Sequence, residues 1–176
     1  ILSVAKHFPG HGDTAEDSHY TLPAVHHDRA RLDSVELLPF KRYIYDGYAG
    51  VMTGHLYVPA LDKARNKPVS MSRAVVTDLL QKELGFRGLC FTDALAMKGA
   101  TTRKSDNPSV MALLAGNDIL LAPAAPINDF AAVKEALEEG ILDREEIEAK
   151  IIKILQYKYI AGLNDYRPVE TKGLSE

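Results

Sequence analysis

Four short, nearly continuous apolar runs limit what this chain can fold into. They occupy residues 2–5, 50–53, 89–92 and 119–122. Runs of about four residues, with no polar alternation, fit strands of a parallel sheet covered on both faces. Each ends on a polar or special group: Lys6-His7, Thr53-Gly54-His55, Thr92-Asp93 and Pro123. Helical patterns separate them. Residues 32–46 carry Leu32, Val35, Leu38 and Ile44 at helical spacing, with Pro39 forcing a kink or a new segment. Residues 73–84 form the clearest helix, with Ser72 as N-cap, one stripe of Val75, Val76, Leu79, Leu80 and Leu84, and Gly85 as stop. A shorter pattern follows at 109–115, before Gly116, and a further one at 127–139, with Phe130, Val133 and Leu137 on one face. Asp143 and Glu146 then fit a capping box for a last helix, whose expected buried stripe is Ile147, Ile151, Ile154, Leu155 and Tyr159.

This alternation predicts an α/β fold with a parallel sheet. Four β/α units are half of an eight-stranded barrel. The long loop after the first run favours a TIM-type (β/α)8 barrel over a free-standing layer, because functional loops of such barrels follow the strand C-termini. The expectation is that residues 1–163 form about the last four β/α units plus a C-terminal helix, and that 164–176, without periodicity, are a linker-like tail. The chain opens Ile1-Leu2-Ser3 inside an expected strand, which reads as a processed or truncated start.

Composition excludes several classes. Across 176 residues, 46% are hydrophobic and 26% charged, which supports a folded core rather than disorder. A net charge of −3 and the lack of a basic stripe give no case for nucleic acid. No apolar run approaches the ~20 residues of a membrane span. The single cysteine, Cys90, lies in an apolar run and reads as a buried thiol. No glycine-rich phosphate loop or other cofactor motif is present, since Gly10 and Gly12 are not followed by Gly-Lys-Ser/Thr.

The first run empties into Lys6-His7-Phe8-Pro9-Gly10-His11-Gly12-Asp13-Thr14-Ala15-Glu16-Asp17-Ser18-His19. Packing does not ask for one lysine, three histidines and three acids in one segment. Glycoside cleavage needs one group to protonate the departing oxygen and another to stabilise or capture the anomeric carbon. A histidine with pKa near 6.5 can do the first, with a carboxylate to hold its tautomer. Asp17 is two residues from His19, close enough for that in a turn. Asp93, at the end of an apolar strand, has a nucleophile's position in a barrel.

The run from Lys6 to Pro23 closely resembles the signature of family 3 glycoside hydrolases, in their β-N-acetylglucosaminidase branch. Three further segments resemble it too: Val51-Met52-Thr53-Gly54-His55; Pro68-Val69-Ser70-Met71-Ser72 with Leu84-Gly85-Phe86-Arg87-Gly88; and Phe91-Thr92-Asp93-Ala94-Leu95-Ala96-Met97. The resemblance implies that His19 is the acid/base, Asp17 its dyad partner and Asp93 the nucleophile of a covalent glycosyl-enzyme. It makes Lys6 and His7 contacts to sugar hydroxyls and turns His55 towards the same pocket. It implies a retaining, exo-acting enzyme that releases terminal β-linked N-acetylglucosamine from peptidoglycan or chitin-type oligosaccharides, without metal or cofactor. Its partners would be the N-terminal half of the same barrel, which in the family supplies an aspartate and an arginine to the sugar, and in some members a further C-terminal domain. Such relatives occur in the bacterial cytoplasm and as exported proteins.

Other readings stand beside this one. A neutral histidine base does not repel an anion, so phosphate could replace water as acceptor. His7, His11, His19, His55 and several aspartates could serve a metal-dependent barrel hydrolase, although no His-x-His pair ends a strand. An inactive sugar-binding module is the third. His11 reads as either a loop support or a sugar contact. Asp13 and Glu16 read as loop caps, and His26 and His27 as surface residues.

Overall fold

Three of the four apolar runs form the sheet. The structure, a computed structural model, describes residues 1–14, 16, 18, 20–100 and 106–168. Strands β1 (Val4–Phe8), β2 (Gly50–Thr53) and β3 (Leu89–Thr92) pair in parallel in that order. β2 and β3 pair without a shift, from Gly50↔Leu89 to Thr53↔Thr92.

β1 lies further along the chain than the run at 2–5 suggests, and its pairing with β2 shifts between Ala5 and Phe8. Phe8 is the reason. It is fully buried and meets Phe40 edge-on at 5.1 Å, which anchors the strand two residues beyond Lys6. Burying such a ring contributes roughly 2–3 kcal/mol, more than Leu2 gains on the partly exposed rim. Lys6 and His7 therefore belong to the strand rather than to the loop after it. The Lys6-His7 and Phe8-Pro9 peptides are cis.

The fourth run forms only one bridge, Ile119 to Phe91. Ala122, at φ 41°, leaves the extended region at its end. The Leu121 amide goes to the Thr92 hydroxyl at 2.9 Å instead of to a strand ladder.

The expected helix at 32–46 is three successive pieces: α1 (Arg29–Arg31), a π-helical turn at Leu32–Glu36, and α2 (Leu38–Tyr45), with Pro39 in the first turn of α2. The segment Ala74–Glu83 is π-helical and buries Val75, Val76, Leu79 and Leu80 as expected. Ser72 does not cap it through its side chain. Its carbonyl accepts from the Val75 and Val76 amides, while its hydroxyl donates to Asp62. Helices α3 (Pro108–Ala115), α4 (Pro126–Glu138) and α5 (Arg144–Ile160) follow. Asn107 caps α3 and Asp143 caps α5.

The main core lies where the sheet meets these helices, around Phe8, Leu37, Phe40, Val51, Val76, Leu80 and Cys90. At the N-terminal end of the sheet, Asp118 accepts from the Cys90 amide and pairs with Lys153 of α5 at 2.9 Å through both oxygens. That bond ties α5 to the sheet. The expected buried stripe of α5 is not buried: Ile151, Leu155 and Tyr159 are at least half exposed, and the helix has no buried residue. Only Ile147 joins a small cluster with Leu113, Ala136 and Leu142. The described residues cover Ile154 in part and leave Ile151, Leu155, Tyr159 and Phe130 of α4 at least half exposed. The tail expected at 164–176 lies mostly outside the described residues, which end at 168. Among the described residues, no helix is long and apolar enough to cross a membrane.

Candidate active site

A parallel sheet brings the ends of its strands to one edge, and this edge collects the titratable groups. β1 contributes Lys6 and His7, the turn after β2 contributes His55, and the residue after β3 is Asp93. His7 Nε2 lies 3.5 Å from Asp93 Oδ2. The Asp93 side chain is 13% exposed, enough for a ligand to reach it. Its amide donates to the Thr53 carbonyl at 2.9 Å, which fixes its backbone to β2. Its Oδ1 accepts from the Ala94 amide at 2.8 Å.

His55 is the residue expected to face the same pocket. It is completely buried, and both ring nitrogens are bonded. A carbonyl can only accept, so Nε2 carries the proton and donates to the Ala94 oxygen at 3.1 Å. Nδ1 then accepts from the Ser70 hydroxyl at 2.8 Å. Burial pushes the imidazole pKa down, against the opposing pull of the Ala94 carbonyl and the Asp93 charge. Burial thus favours the neutral ring, in which Nδ1 is the acceptor of the Ser70 hydroxyl.

Below His55 the polar groups continue as a connected set. The Asn117 amide nitrogen donates to the carbonyls of Ser70, at 2.7 Å, and Ala112, at 2.8 Å. Its oxygen is 2.9 Å from the Thr53 hydroxyl. Buried polar groups hold a unique geometry when each has a partner. Ser70 belongs to the Pro68-Val69-Ser70-Met71-Ser72 segment, whose pattern alone gives it no role. Asn117, after Gly116, gave no sequence signal.

The loop after β1 carries the expected acid/base pair. Asp17 and His19 lie outside the described residues, as does Ala15. Their neighbour Ser18 is described and buried. Its hydroxyl is 3.1 Å from His11 Nε2, and its carbonyl accepts from the Gly99 amide at 3.2 Å. Thr14 holds the other nitrogen of His11 at 2.7 Å. A Cβ on Gly99 would sit 2.8 Å from the carbonyl oxygens of both Ser18 and Thr21. His11 thus supports the loop, and its ring also meets His7 edge-on at 5.7 Å.

On its outer side the loop is held by charge. His27 Nε2 lies 2.5 Å from Asp13 Oδ2, a surface pair that fastens the loop. The His27 bond keeps the Asp13 carboxyl below its usual range. Gly10, at φ 140°, packs where a Cβ would fall 2.8 Å from the Glu36 Cβ. Asp13, His27 and Glu36 bring one ligand atom each to within 4.8 Å of one another, a candidate cation cluster. The Arg31 guanidinium already lies 3.1 Å from Glu36 and 3.8 Å from Asp13, so protein charge balances the two acids. Lys6, His7, His11, Arg31 and Glu36 line a cleft of about 480 Å³. Asp93 is not one of its walls; it lies behind His7.

The glycosyl hydrolase family 3 N-terminal domain matches residues 1–157. The chain is 36% identical over 178 residues to a protein of Pseudoalteromonas piscicida named beta-hexosaminidase A, covering 90% of this chain and 30% of that one. It is 35% identical to a beta-hexosaminidase of Chromobacterium violaceum, over 72% of this chain and 35% of the relative. The fold superposes with a TM-score of 0.89 and 35% identity on a family 3 beta-N-acetylglucosaminidase from Paenibacillus sp. str. FPU-7, covering 98% of this chain and 34% of that one. The chain therefore spans about a third of the length of these relatives. Strand order, the site at the strand C-termini and these matches agree: the chain belongs to glycosyl hydrolase family 3 and forms part of its N-terminal domain, an α/β fold of the TIM-barrel type.

Proposed function

We propose that the protein containing this chain is a retaining, exo-acting β-N-acetylglucosaminidase whose nucleophile is Asp93. The observation that carries this reading is the setting of Asp93. It ends a barrel-type strand, one carboxylate oxygen is held by the Ala94 amide, and the other faces His7 at 3.5 Å. Relatives named beta-hexosaminidase support the substrate class.

Asp93 attacks the anomeric carbon while protonated His19 gives its proton to the departing oxygen. The covalent glycosyl-enzyme forms as the glycosidic bond breaks. Neutral His19 then takes a proton from water, which attacks the same carbon and restores Asp93. Asp17 orients the His19 ring and stabilises the imidazolium. Lys6 and His7 grip sugar hydroxyls, and His55 is buried behind them with its ring on Ser70 and Ala94. The rest of the pocket comes from the other half of the barrel. Substrates of this class are the terminal N-acetylglucosamine residues of peptidoglycan or chitin-type oligosaccharides.

The division of roles has a kinetic test. In the full-length protein, His19→Ala should slow hydrolysis of an N-acetylglucosaminide with an alkyl leaving group by about 10²–10⁴-fold. A dinitrophenyl substrate, which needs no proton to depart, should lose far less in the bond-breaking step. Equal losses on both substrates would remove His19 from the acid's role.

A further inference from the structure

We infer that His55 is a positioning residue for the nucleophile, acting through the Ala94 backbone. This rests on the reading of Asp93 as nucleophile. Two bonds on the backbone of one residue carry the inference. The Ala94 amide donates to Asp93 Oδ1 at 2.8 Å, and the Ala94 carbonyl accepts from His55 Nε2 at 3.1 Å. That N–H and that carbonyl belong to adjacent peptide planes hinged at the Ala94 Cα, so a held oxygen limits how far the plane that carries the N–H can turn. His55 thereby sets which way the carboxylate of Asp93 is held.

His55 is itself held from the opposite side. Ser70 donates to Nδ1, Asn117 bonds the Ser70 carbonyl, and Thr53 bonds Asn117. Thr53 closes the circuit by accepting the Asp93 amide on its own carbonyl. The nucleophile is thus gripped twice, at its backbone by β2 and at its carboxylate by the amide of Ala94, the residue whose carbonyl His55 holds. A group oriented before substrate arrives does not have to be ordered during attack. His55 has no nitrogen left for a sugar, so it acts on rate rather than on binding.

Two polar variants of nearly equal character separate this role from simple support. In His55→Gln the amide nitrogen is as many bonds from Cβ as Nε2 and can still reach the Ala94 carbonyl. In His55→Asn it matches Nδ1 instead, keeping Ser70 and losing Ala94. The probe is 5-fluoro-N-acetylglucosaminyl fluoride, which traps the covalent intermediate on the full-length protein. With H55N, the saturating rate of adduct formation should fall about ten- to a hundredfold, with the half-saturating concentration little changed. With H55Q it should stay within about threefold of the parent. Equal losses in both variants, a loss confined to half-saturation, or trapping by H55N at the parental rate would each overturn the inference. If H55N does not fold, H55Q decides alone: retention supports the role and a tenfold loss refutes it. Peptide mapping keeps the two readings apart. An adduct away from Asp93 in the parent removes the nucleophile assignment, whereas an adduct on Asp93 with both variants alike removes only the role of His55.

Discussion

At the residue scale, the site shows one side chain with two consequences. His55 is buried as a neutral ring, and burial lowers its pKa in the folded state. Below about pH 6.5 the unfolded chain binds a proton there that the folded chain refuses. Stability must then fall as pH drops from about 6.5 towards the lower folded-state pKa, and be flat above it. One proton sets a slope of at most about 1.4 kcal/mol per pH unit. Denaturant unfolding of the full-length protein and its H55Q variant between pH 7.5 and 5 checks this: the variant should lose less stability on acidification. Parallel curves would show that His55 contributes none of the pH dependence. The role of His55 was not legible in the sequence. Its place after the Met-Thr-Gly run marked it as near the pocket, but spacing cannot tell a ring that meets a sugar from one turned beneath Asp93. That distinction came from the Ala94 carbonyl and the Ser70 hydroxyl.

Among the elements, the strands were easier to read than the helices. β2 and β3 match their apolar runs because both faces are covered and no polar residue interrupts them. β1 shifted because Phe8, past the polar pair, outweighs Leu2 in burial. The run at 119–122 failed as a strand where Ala122 turns out of the extended region. The α5 stripe was correct as a pattern and wrong as a statement of burial, since periodicity names a face but not its partner. The loop after β1 makes its own prediction. Gly99 lets the loop carbonyls of Ser18 and Thr21 approach to where a Cβ would stand 2.8 Å from each. Gly99→Ala should displace the segment that carries Asp17 and His19. Hydrolysis of alkyl N-acetylglucosaminides should fall at least tenfold, and dinitrophenyl substrates should be less affected, as for loss of the acid. Parental rates with alkyl substrates would show that this contact does not hold the loop.

For the molecule as a whole, the exposed apolar residues of α4 and α5 form the main discrepancy between sequence pattern and structure. Ile127, Phe130, Ile151, Ile152, Leu155, Tyr159 and Ile160 are all at least half exposed. The chain spans about a third of its relatives, and the β1 edge has no partner strand among the described residues. Expressed alone, these 176 residues should enhance 1-anilinonaphthalene-8-sulfonate fluorescence and elute as self-associated species. The full-length protein should do neither. A monomeric 176-residue chain that ignores the dye would mean that these faces need no cover. The assignment of the chemistry turns on Asp93, and one measurement bears on it directly. The full-length protein, treated with 5-fluoro-N-acetylglucosaminyl fluoride and digested, should yield a single sugar-bearing peptide with the mass increment on Asp93. Stoichiometric inactivation with the adduct on any other residue, or turnover that leaves no trapped intermediate, would contradict it.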